Sequence, residues 1–583
     1  MWLVLSAGAL AGCSGSPRAV PDALAADLIL VNGHILTVDA EDSVAEAVAI
    51  RDGRIMAVGS TREIQAVAGR GTERIDLHGL TATPGLLDAH AHFAGGGLDR
   101  LYVLDLSYPG VKSIGDVVAA VGGRTERLEP DQWVRGRGWD EGKLKELRYI
   151  RTSDLDSVSP RNPVWLSHTM GHYGVANSLA LGLAGITADT PDPPGGTIDR
   201  YPDGRPTGVL KESAQALVAR LIPPFTARQM REGIRRLAAE FNREGMTGLK
   251  DPGIGPAAWD AYRRVLVEGD LTVRVFALWR AGPTLEDARA LIERVGPFTR
   301  PYQSTGDDHL ISGGVKLYMD GSGGARTAWL YDDWNRNFDE VDVGNRGYPA
   351  NDPDVLRRQI RLFHDAGLHV SVHAIGDRAI DWVVDSYAAA LEAHPISGLR
   401  HGIIHANIPT EHALDEMAEL QSRYDAAYPE ASAGFMWWIG DTYAGNFGPE
   451  RARRLNPFRT YVEKGIRWAG GSDYNVTPFP ARYGLWASMA RETLLGIYGR
   501  NPYGGAESVD IDTALHSYTI WGARQMFLER KIGSIEVGKY ADIAVWDRDL
   551  YSVDPAKIKD LRCEMTLFQG RVVYRNPEGP LAP

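Results

Sequence analysis

Residues 84–93 read Pro84-Gly-Leu-Leu-Asp-Ala-His90-Ala-His92-Phe93, an apolar run that ends in two histidines. The apolar start is typical of a buried strand. Because side chains two residues apart on a strand point to the same side, His90 and His92 are predicted to project together. Neutral imidazoles are common ligands of zinc-like divalent ions. A single His-x-His pair is a weak signal, since two chance histidines on a strand explain it equally well.

Strands and helices alternate on both sides of this run, which is typical of a parallel sheet. In the clearest unit, Asp352-Pro353 begins a helix whose apolar face precedes the β-branched segment His369–His373. The strand candidates in the middle of the chain are Leu86–His92, Thr247–Lys250, Val273–Leu278, Gly314–Met319, His369–His373, Gly402–His405, Tyr424–Ala427 and Arg467–Gly471. Eight such strands predict an α/β fold of the (β/α)8 TIM-barrel type.

The two ends of the chain have a different character from the middle. Residues 26–82 and 527–583 contain short strands around glycine turns such as Asn32-Gly33, a pattern that favours antiparallel pairing. We predict one small β-sandwich built from both ends, with the barrel in residues 83–526. The stretch from about 95 to 240 is too long for one connection, so it is predicted to be an insertion after the first barrel strand.

The composition is ordinary for a soluble globular enzyme. The chain of 583 residues is 44% hydrophobic and 24% charged, with 63 basic and 75 acidic residues. A net charge of −12 argues against a nucleic-acid partner, which normally requires a basic surface. A small-molecule substrate is therefore expected, and a homodimer is left open.

The first 13 residues end in Leu10-Ala-Gly-Cys13 after a short apolar run. This arrangement resembles the lipobox of bacterial lipoproteins, in which the cysteine is lipidated and becomes the mature N-terminus. It predicts a signal peptide over residues 1–13, a tether over 14–25, and an exported protein held at the periplasm or cell envelope by a lipid on Cys13. The alternative is an ordinary secretory segment with a chance cysteine, since a basic start is missing. With Cys13 lipidated, Cys563 has no disulfide partner.

Four further polar residues lie at or near the C-terminal ends of predicted strands. Lys316 lies on the fourth candidate, His373 ends the fifth, His405 ends the sixth, and Asp473 follows the eighth. Active sites of TIM barrels assemble at this face. We therefore expect these residues to lie with His90 and His92 around one or two divalent metal ions.

The segment that contains His90 and His92 resembles the first-strand signature of the amidohydrolase superfamily. Other segments resemble its YtcJ-like branch, the amidohydrolase-3 type that includes N-substituted formamide deformylases. These are Trp133-Val-Arg-Gly-Arg-Gly-Trp139-Asp140, Gly171-His172, Gly204-Arg-Pro-Thr-Gly-Val-Leu210 with Glu212, Val315-Lys-Leu-Tyr-Met-Asp320, His373-Ala-Ile-Gly-Asp377, Gly471-Ser-Asp473 and Gly533-Ser-Ile-Glu-Val-Gly-Lys-Tyr-Ala-Asp542. One position departs from the branch pattern Arg-His-x-Ile-Glu-His, because Ile404 stands where a glutamate is usual.

The resemblance implies a ligand set for one or two divalent ions, with zinc as the expected metal. His90, His92 and Asp473 would hold one ion and His373 and His405 the other. Lys316, carboxylated by CO2, would bridge them, because a lysine neutralised by burial can react. The alternative for Lys316 is an ion-paired lysine without a ligand role.

The implied reaction is hydrolysis of a non-peptide C–N bond in an N-acyl, N-formyl, carbamate-like or cyclic amide. Bound metal lowers the pKa of water from about 15.7 towards about 7, so that metal-bound hydroxide is available at neutral pH. Asp473 would move the proton to the leaving nitrogen, although an aspartate that caps a loop is the simpler explanation. A deaminase or an ester hydrolase on the same scaffold is an alternative, and so is a catalytically inactive surface-anchored binding protein.

The predicted insertion supplies candidate substrate-binding residues above the barrel mouth. We expect His172 to polarise the substrate carbonyl, while Trp139, Asp140 and Tyr173 shape the pocket. Arg326, which follows a glycine-rich turn, would contact an anionic group of the substrate. The competing explanation for His172 is a histidine packed inside the insertion.

Overall fold

The structure is a computed structural model that describes residues 24–299, 303–304, 308–334, 344–499 and 501–582. The predicted signal peptide and Cys13 lie outside the described residues. Within the described ranges, no helix combines the length and the apolarity needed to cross a bilayer.

Eight parallel strands form one sheet in chain order. They are β1 (Leu86–Asp88), β2 (Met246–Ile254), β3 (Arg274–Arg280), β4 (Leu310–Tyr318), β5 (Val370–Ala374), β6 (Gly402–His405), β7 (Tyr428–Ala431) and β8 (Ala469–Gly470). The backbone N–H of Ala89 donates to the carbonyl of Gly470 at 2.9 Å, so the first and last strands meet. The sheet is therefore a nearly closed barrel, and the predicted TIM-type fold is confirmed.

Helices connect the barrel strands and cover their outer face. They are α1 (Ala227–Arg243), α2 (Pro256–Val267), α3 (Leu285–Val295), α4 (Pro353–Asp365), α5 (Asp377–Ala393), α6 (Glu411–Tyr424) and α7 (Phe458–Glu463). Helix α4 begins as predicted, because the Asp352 carboxylate accepts the N–H groups of Asp354 and Val355. The remaining α-helices are Thr61–Gln65, Phe93–Tyr102, Ile114–Thr125, Thr152–Leu155, Ser178–Ala184, Ala216–Ala219, Gly434–Trp438, Gly440–Ala452, Ala481–Ala490, Ile511–Ser517 and Ile520–Gln525.

Of the eight barrel strands, β6 alone has the predicted bounds, and two differences matter most, in the seventh and the first strand. The seventh strand is Tyr428–Ala431 and not Tyr424–Ala427, because α6 continues to Tyr424 and Asp425 then takes a left-handed conformation with φ of 53°. The first strand ends at Asp88 and not at His92. The chain turns there into the helix Phe93–Tyr102, and His92 is the residue before that helix.

Strands from both ends of the chain form two further sheets. The four-stranded sheet contains Ala26–Val31, Ala47–Arg51, Arg54–Gly59 and Ala68–Asp76. The six-stranded sheet contains His34–Leu36, Val44–Ala45, Thr81–Pro84, Ile543–Trp546, Cys563–Phe568 and Arg571–Arg575. One hydrophobic cluster includes Leu30 and Val48 from the first sheet and Ile35, Val545 and Leu567 from the second, so the two sheets share a core.

The segment between β1 and α1 contains a third additional sheet. Its strands are Leu104–Asp105, Val134–Trp139, Val164–His168, Tyr173–Ala176, Gly196–Arg200 and Pro206–Glu212. This sheet has its own hydrophobic core, which includes Ile114, Val134 and Leu166. Helix α1 lies beyond it and packs closely on the helix Phe93–Tyr102, where a Cβ atom at Gly97 would collide with the backbone of Gly233.

Candidate metal centre

Residues far apart in the chain meet at the C-terminal end of the barrel. Asp473 Oδ1 lies 3.3 Å from His90 Nε2 and 3.3 Å from His92 Nε2. One ligand atom from each of these three residues lies within 4.8 Å of the other two, a spacing that a single metal ion can span. His405 Nε2 lies 4.0 Å from the second carboxylate oxygen of Asp473.

His373 and His405 form the adjacent half of the centre, with ring centroids 4.7 Å apart. The His405 ring is also 5.2 Å from the ring of His90, which joins the two halves. His373 Nε2 lies 2.9 Å from the carbonyl oxygen of Gly321. Since only an N–H can donate to that oxygen, His373 carries its proton on Nε2 and presents the lone pair of Nδ1.

Several buried polar atoms of this group lack hydrogen-bond partners within the described part of the chain. They are both ring nitrogens of His90, Nδ1 of His405 and Oδ1 of Asp473. Leaving a buried polar group unsatisfied costs about 1–3 kcal/mol. Lone pairs from imidazole and carboxylate that converge without partners are the donor set of a divalent cation such as zinc. These residues therefore fit the metal that the sequence analysis predicts.

The protonation states of the side chains also suit a cation. Burial lowers the pKa of His373 and of His405 well below the usual histidine value, so both rings are neutral. Burial alone would raise the pKa of Asp473, but the adjacent imidazoles of His90 and His92 outweigh it and hold that pKa well below the usual value. Metal binding requires neutral imidazoles and an ionised carboxylate, and the site provides both.

Lys316 lies on β4 and lines the same cavity as the histidines. Its side chain is almost fully buried. Burial lowers the pKa of Lys316 to about 7, although the carboxylates of Asp473 and Glu430 oppose this effect. A substantial fraction of this amine is therefore neutral at neutral pH, which is the form that reacts with CO2.

Two buried aspartates hold the loops that carry the ligands. Asp88 accepts the backbone N–H groups of His90 at 3.0 Å and Ser472 at 2.9 Å, so it links the ends of β1 and β8. Asp320 accepts the backbone N–H groups of Ile375 and Gly376 directly after β5. Burial raises the pKa of Asp88 to about 6 and that of Asp320 to about 7. Both residues orient backbone segments next to the ligands.

The six predicted ligands line a cavity of about 750 Å³ at the barrel mouth. The ligands on its wall are His90, His92, Lys316, His373, His405 and Asp473. Arg137, Arg280 and Tyr318 contribute to the same wall. The cavity is large enough for a small organic molecule, since ligand pockets usually span about 300–1,000 Å³.

His172 reaches this cavity from the insertion, as the sequence analysis expects. Its Nδ1 lies 2.9 Å from Glu212 Oε2, and its ring centroid is 5.1 Å from that of His373. Glu212 in turn accepts the Thr327 hydroxyl at 2.5 Å. Burial alone would lower the pKa of His172, but Glu212 outweighs it and raises that pKa. The pairing leaves Nε2 of His172 as the polar atom available to a substrate.

Three other candidate substrate residues lie in the core of the insertion and not on the cavity wall. Trp139 is fully buried and donates its indole N–H to the Leu166 carbonyl at 3.1 Å. Asp140 pairs with Lys143 at 3.0 Å. The Tyr173 hydroxyl donates to Glu141 at 2.8 Å. Their expected contact with substrate is therefore corrected, because these side chains complete the packing and hydrogen bonding of the insertion itself.

Arg326 is also absent from the residues that line the cavity within the described structure. Its carbonyl accepts the side-chain amide of Asn345 at 3.1 Å, and its backbone takes a left-handed conformation with φ of 56°. The described residues on the wall include two other arginines, Arg137 of the strand Val134–Trp139 and Arg280 at the end of β3.

Sequence reasoning missed a buried carboxylate, Glu430 of β7. Its side chain is fully buried, and its Oε2 lies 3.9 Å from His90 Nδ1. In the pairing of β6 with β7, Glu430 is the register partner of Ile404, the position that departs from the family pattern. Its partner at 2.7 Å is Lys250, which lies beside Asp251 in the buried strand β2; charged residues in a buried strand were the available sequence signal.

A solved structure supports the fold assignment. A metal-dependent hydrolase from Pyrococcus horikoshii aligns over 91% of this chain and 99% of its own length, with a TM-score of 0.69 and 24% identity. At this identity the likeness concerns the fold alone.

Sequence comparisons cover almost the same span. The amidohydrolase YtcJ of Bacillus subtilis, described as putative, is 30% identical over 93% of this chain and 98% of its own length. The N-substituted formamide deformylase of Arthrobacter pascens is 29% identical over 94% of this chain and 98% of its own length. The sequence profile of the Amidohydrolase family matches residues 73–574. With the histidines, Lys316 and Asp473 gathered at the barrel mouth, this chain belongs to the amidohydrolase family.

Proposed function

We propose that this protein is a metal-dependent hydrolase that cleaves a non-peptide C–N bond in a small N-acyl, N-formyl, carbamate-like or cyclic amide. The observation that carries the proposal is the shared contact of Asp473 with His90 and His92 at 3.3 Å. That contact lies inside a cavity that also contains Lys316, His373 and His405. The similarity to an N-substituted formamide deformylase favours an acyl or formyl amide over the other classes.

His90, His92 and Asp473 would hold one divalent ion and His373 and His405 a second, with carboxylated Lys316 between them. We expect zinc. Bound there, the metal supplies Lewis acidity, which activates water and polarises the substrate carbonyl. The buried unpartnered nitrogens of His90 and the neutral state of His373 and His405 support this assignment.

Asp473 would move the proton in the reaction. As an ionised carboxylate it can accept a proton from the attacking water and deliver it to the leaving nitrogen. An amide requires this delivery, because an unprotonated amine anion is a poor leaving group. The low pKa of Asp473 keeps its carboxylate ionised. Its position between the histidines keeps it near the reacting atoms.

His172 and Arg280 would bind the substrate. Glu212 favours the protonated form of His172, so that Nε2–H can donate to the substrate carbonyl oxygen. Arg280 lies on the cavity wall, where we assign it the contact with a polar or anionic group that the sequence analysis gave to Arg326. A deaminase or an ester hydrolase would use the same residues, so the substrate must be established by assay.

We also propose that Cys13 carries a lipid that holds the enzyme at the cell envelope, with residues 26–82 and 527–583 as a β-sandwich beside the barrel. The lipobox-like sequence supports the first statement. The cluster shared by the two terminal sheets supports the second.

A substrate panel tests the proposed reaction. The full chain, loaded separately with Zn²⁺, Mn²⁺ or Co²⁺, would be assayed with N-formyl and N-acyl amines, carbamates, hydantoins and lactams. We expect metal-dependent release of amine from at least one class, and release by the Asp473→Asn variant that is slower by about 10²-fold or more. Turnover of esters or amino-purines alone would replace the proposed substrate class, and no turnover by protein with confirmed metal would contradict hydrolysis.

A further inference from the structure

A charged pair lies inside the barrel, beneath the candidate metal centre. Lys250 of β2 and Glu430 of β7 are both fully buried, and Lys250 Nζ lies 2.7 Å from Glu430 Oε1. The Ser371 hydroxyl donates to the same oxygen at 2.6 Å. Burying two charges is costly, and apolar residues of similar volume often stabilise a fold equally well or better. We therefore expect the pair to have a role other than stabilising the fold.

The surroundings of the second carboxylate oxygen of Glu430 indicate that role. Oε2 is buried and has no hydrogen-bond partner within the described residues, and the same holds for Nδ1 of His90. These two atoms lie 3.9 Å apart. On the other side of the ring, His90 Nε2 lies 3.3 Å from Asp473. His90 thus lies between one carboxylate inside the barrel and another in the metal centre.

We infer that Glu430 is the positioning residue of His90: its Oε2, which lies 3.9 Å from Nδ1, favours the proton on Nδ1 and so presents the Nε2 lone pair to the metal. This inference rests on the proposed function as a metal enzyme. A neutral imidazole carries one proton, so a lone pair on Nε2 requires the proton on Nδ1. A carboxylate that accepts this proton fixes the tautomer and the ring orientation and makes the ligand more basic.

Lys250 and Ser371 position Glu430 in turn. Both bind Oε1, which leaves Oε2 directed at His90. Lys250 Nζ, 2.7 Å from Oε1, also gives the carboxylate a buried counter-charge. Gly402 gives the carboxylate its space, because a Cβ atom at this position would collide with Oε1.

The test is the metal affinity of Glu430→Gln, which preserves the shape of the side chain and removes its charge. Co²⁺ or Zn²⁺ would be titrated into the metal-free full chain in competition with a chromophoric chelator, so that the readout does not depend on turnover. We expect affinity to fall by about 10- to 100-fold. The matched control is Glu564→Gln, the same change at a buried glutamate of the terminal strand Cys563–Phe568, away from the metal centre; its affinity should equal that of the wild type.

Stability is measured in parallel, because Glu430→Gln leaves Lys250 as an unpaired buried charge. The double variant Lys250→Met with Glu430→Gln removes both charges together and should show the same loss of affinity. Wild-type affinity in the double variant, or a loss of thermal stability with unchanged affinity in Glu430→Gln, would overturn the inference. Failure of the wild-type chain to bind either ion would instead overturn the proposed function, and this inference with it.

Discussion

Asp473 is the residue on which the proposed chemistry depends most. It follows the last barrel strand, and its carboxylate contacts His90 and His92 at 3.3 Å. We predict that Asp473→Asn keeps most of its metal, because the histidines remain, but lowers kcat by about 10²- to 10⁴-fold, since the amide cannot accept the proton. Metal analysis and steady-state kinetics on the same sample check this. Near-full activity in a metal-loaded variant would show that Asp473 does not transfer the proton.

His172 offers a second test at a single side chain. It contacts Glu212 at 2.9 Å and lines the cavity, but it is not among the proposed ligands. If its Nε2–H stabilises the developing charge on the substrate oxygen, His172→Asn should lower kcat by about 10²- to 10³-fold with unchanged metal content. Unchanged kcat together with a lower melting temperature would show that His172 only packs the insertion.

The strands and their C-terminal ends explain which ligands were predictable. Lys316, His373 and His405 lie on the strands that the sequence placed them on, because those strands are continuous apolar or β-branched runs. Glu430 was missed because β7 contains a proline and a glutamate, neither of them typical of a strand. The predicted strand Tyr424–Ala427 also begins at the last residue of α6, which ends at Tyr424.

In the insertion, the position expected for Trp139 from the family resemblance differs from its position in the structure. Its motif contains Trp139, which the structure places in the hydrophobic core of the insertion and not at the cavity. A sequence motif reports that a residue type recurs, but it does not distinguish packing from contact with substrate. His172 lies in the same insertion, and only its pairing with Glu212 and its distance from His373 reveal its different position.

We predict that Trp139→Ala destabilises the protein by about 3–5 kcal/mol, because it leaves a large cavity in a packed core. Denaturant unfolding of the metal-loaded protein measures this. The control is Leu147→Ala in the same insertion, whose side chain is 67% exposed and should change stability by less than about 0.5 kcal/mol. A raised KM for Trp139→Ala without loss of stability would restore its assignment as a substrate contact.

At the scale of the whole molecule, the two chain ends are joined to the barrel through a buried ion pair. Arg274 at the start of β3 donates to Asp542 at 2.7 Å, and both side chains are buried. Asp542 also accepts the backbone N–H of Gln569 at 2.8 Å. The sequence indicated that both ends contribute strands, but it gave no sign of this long-range pair, since 268 residues separate its members.

Asp542→Asn should therefore destabilise the fold by about 3–5 kcal/mol, because it leaves the guanidinium of Arg274 without its buried counter-charge. The control is Asp547→Asn, whose partner Arg562 is 75% exposed; such a pair contributes about 1 kcal/mol or less. Equal effects of the two variants in equilibrium unfolding would show that the buried pair does not join the terminal sheets to the barrel.

The central claim is that side chains from β4, β5 and β6 and from the segments that follow β1 and β8 converge to bind divalent metal. Elemental analysis of the full chain, purified with metal supplied and then dialysed, tests it most directly. We predict one or two equivalents of a divalent ion per chain, with zinc preferred, and loss of metal in the His90→Ala variant. A wild-type chain that is folded but retains no metal after this treatment would contradict the account.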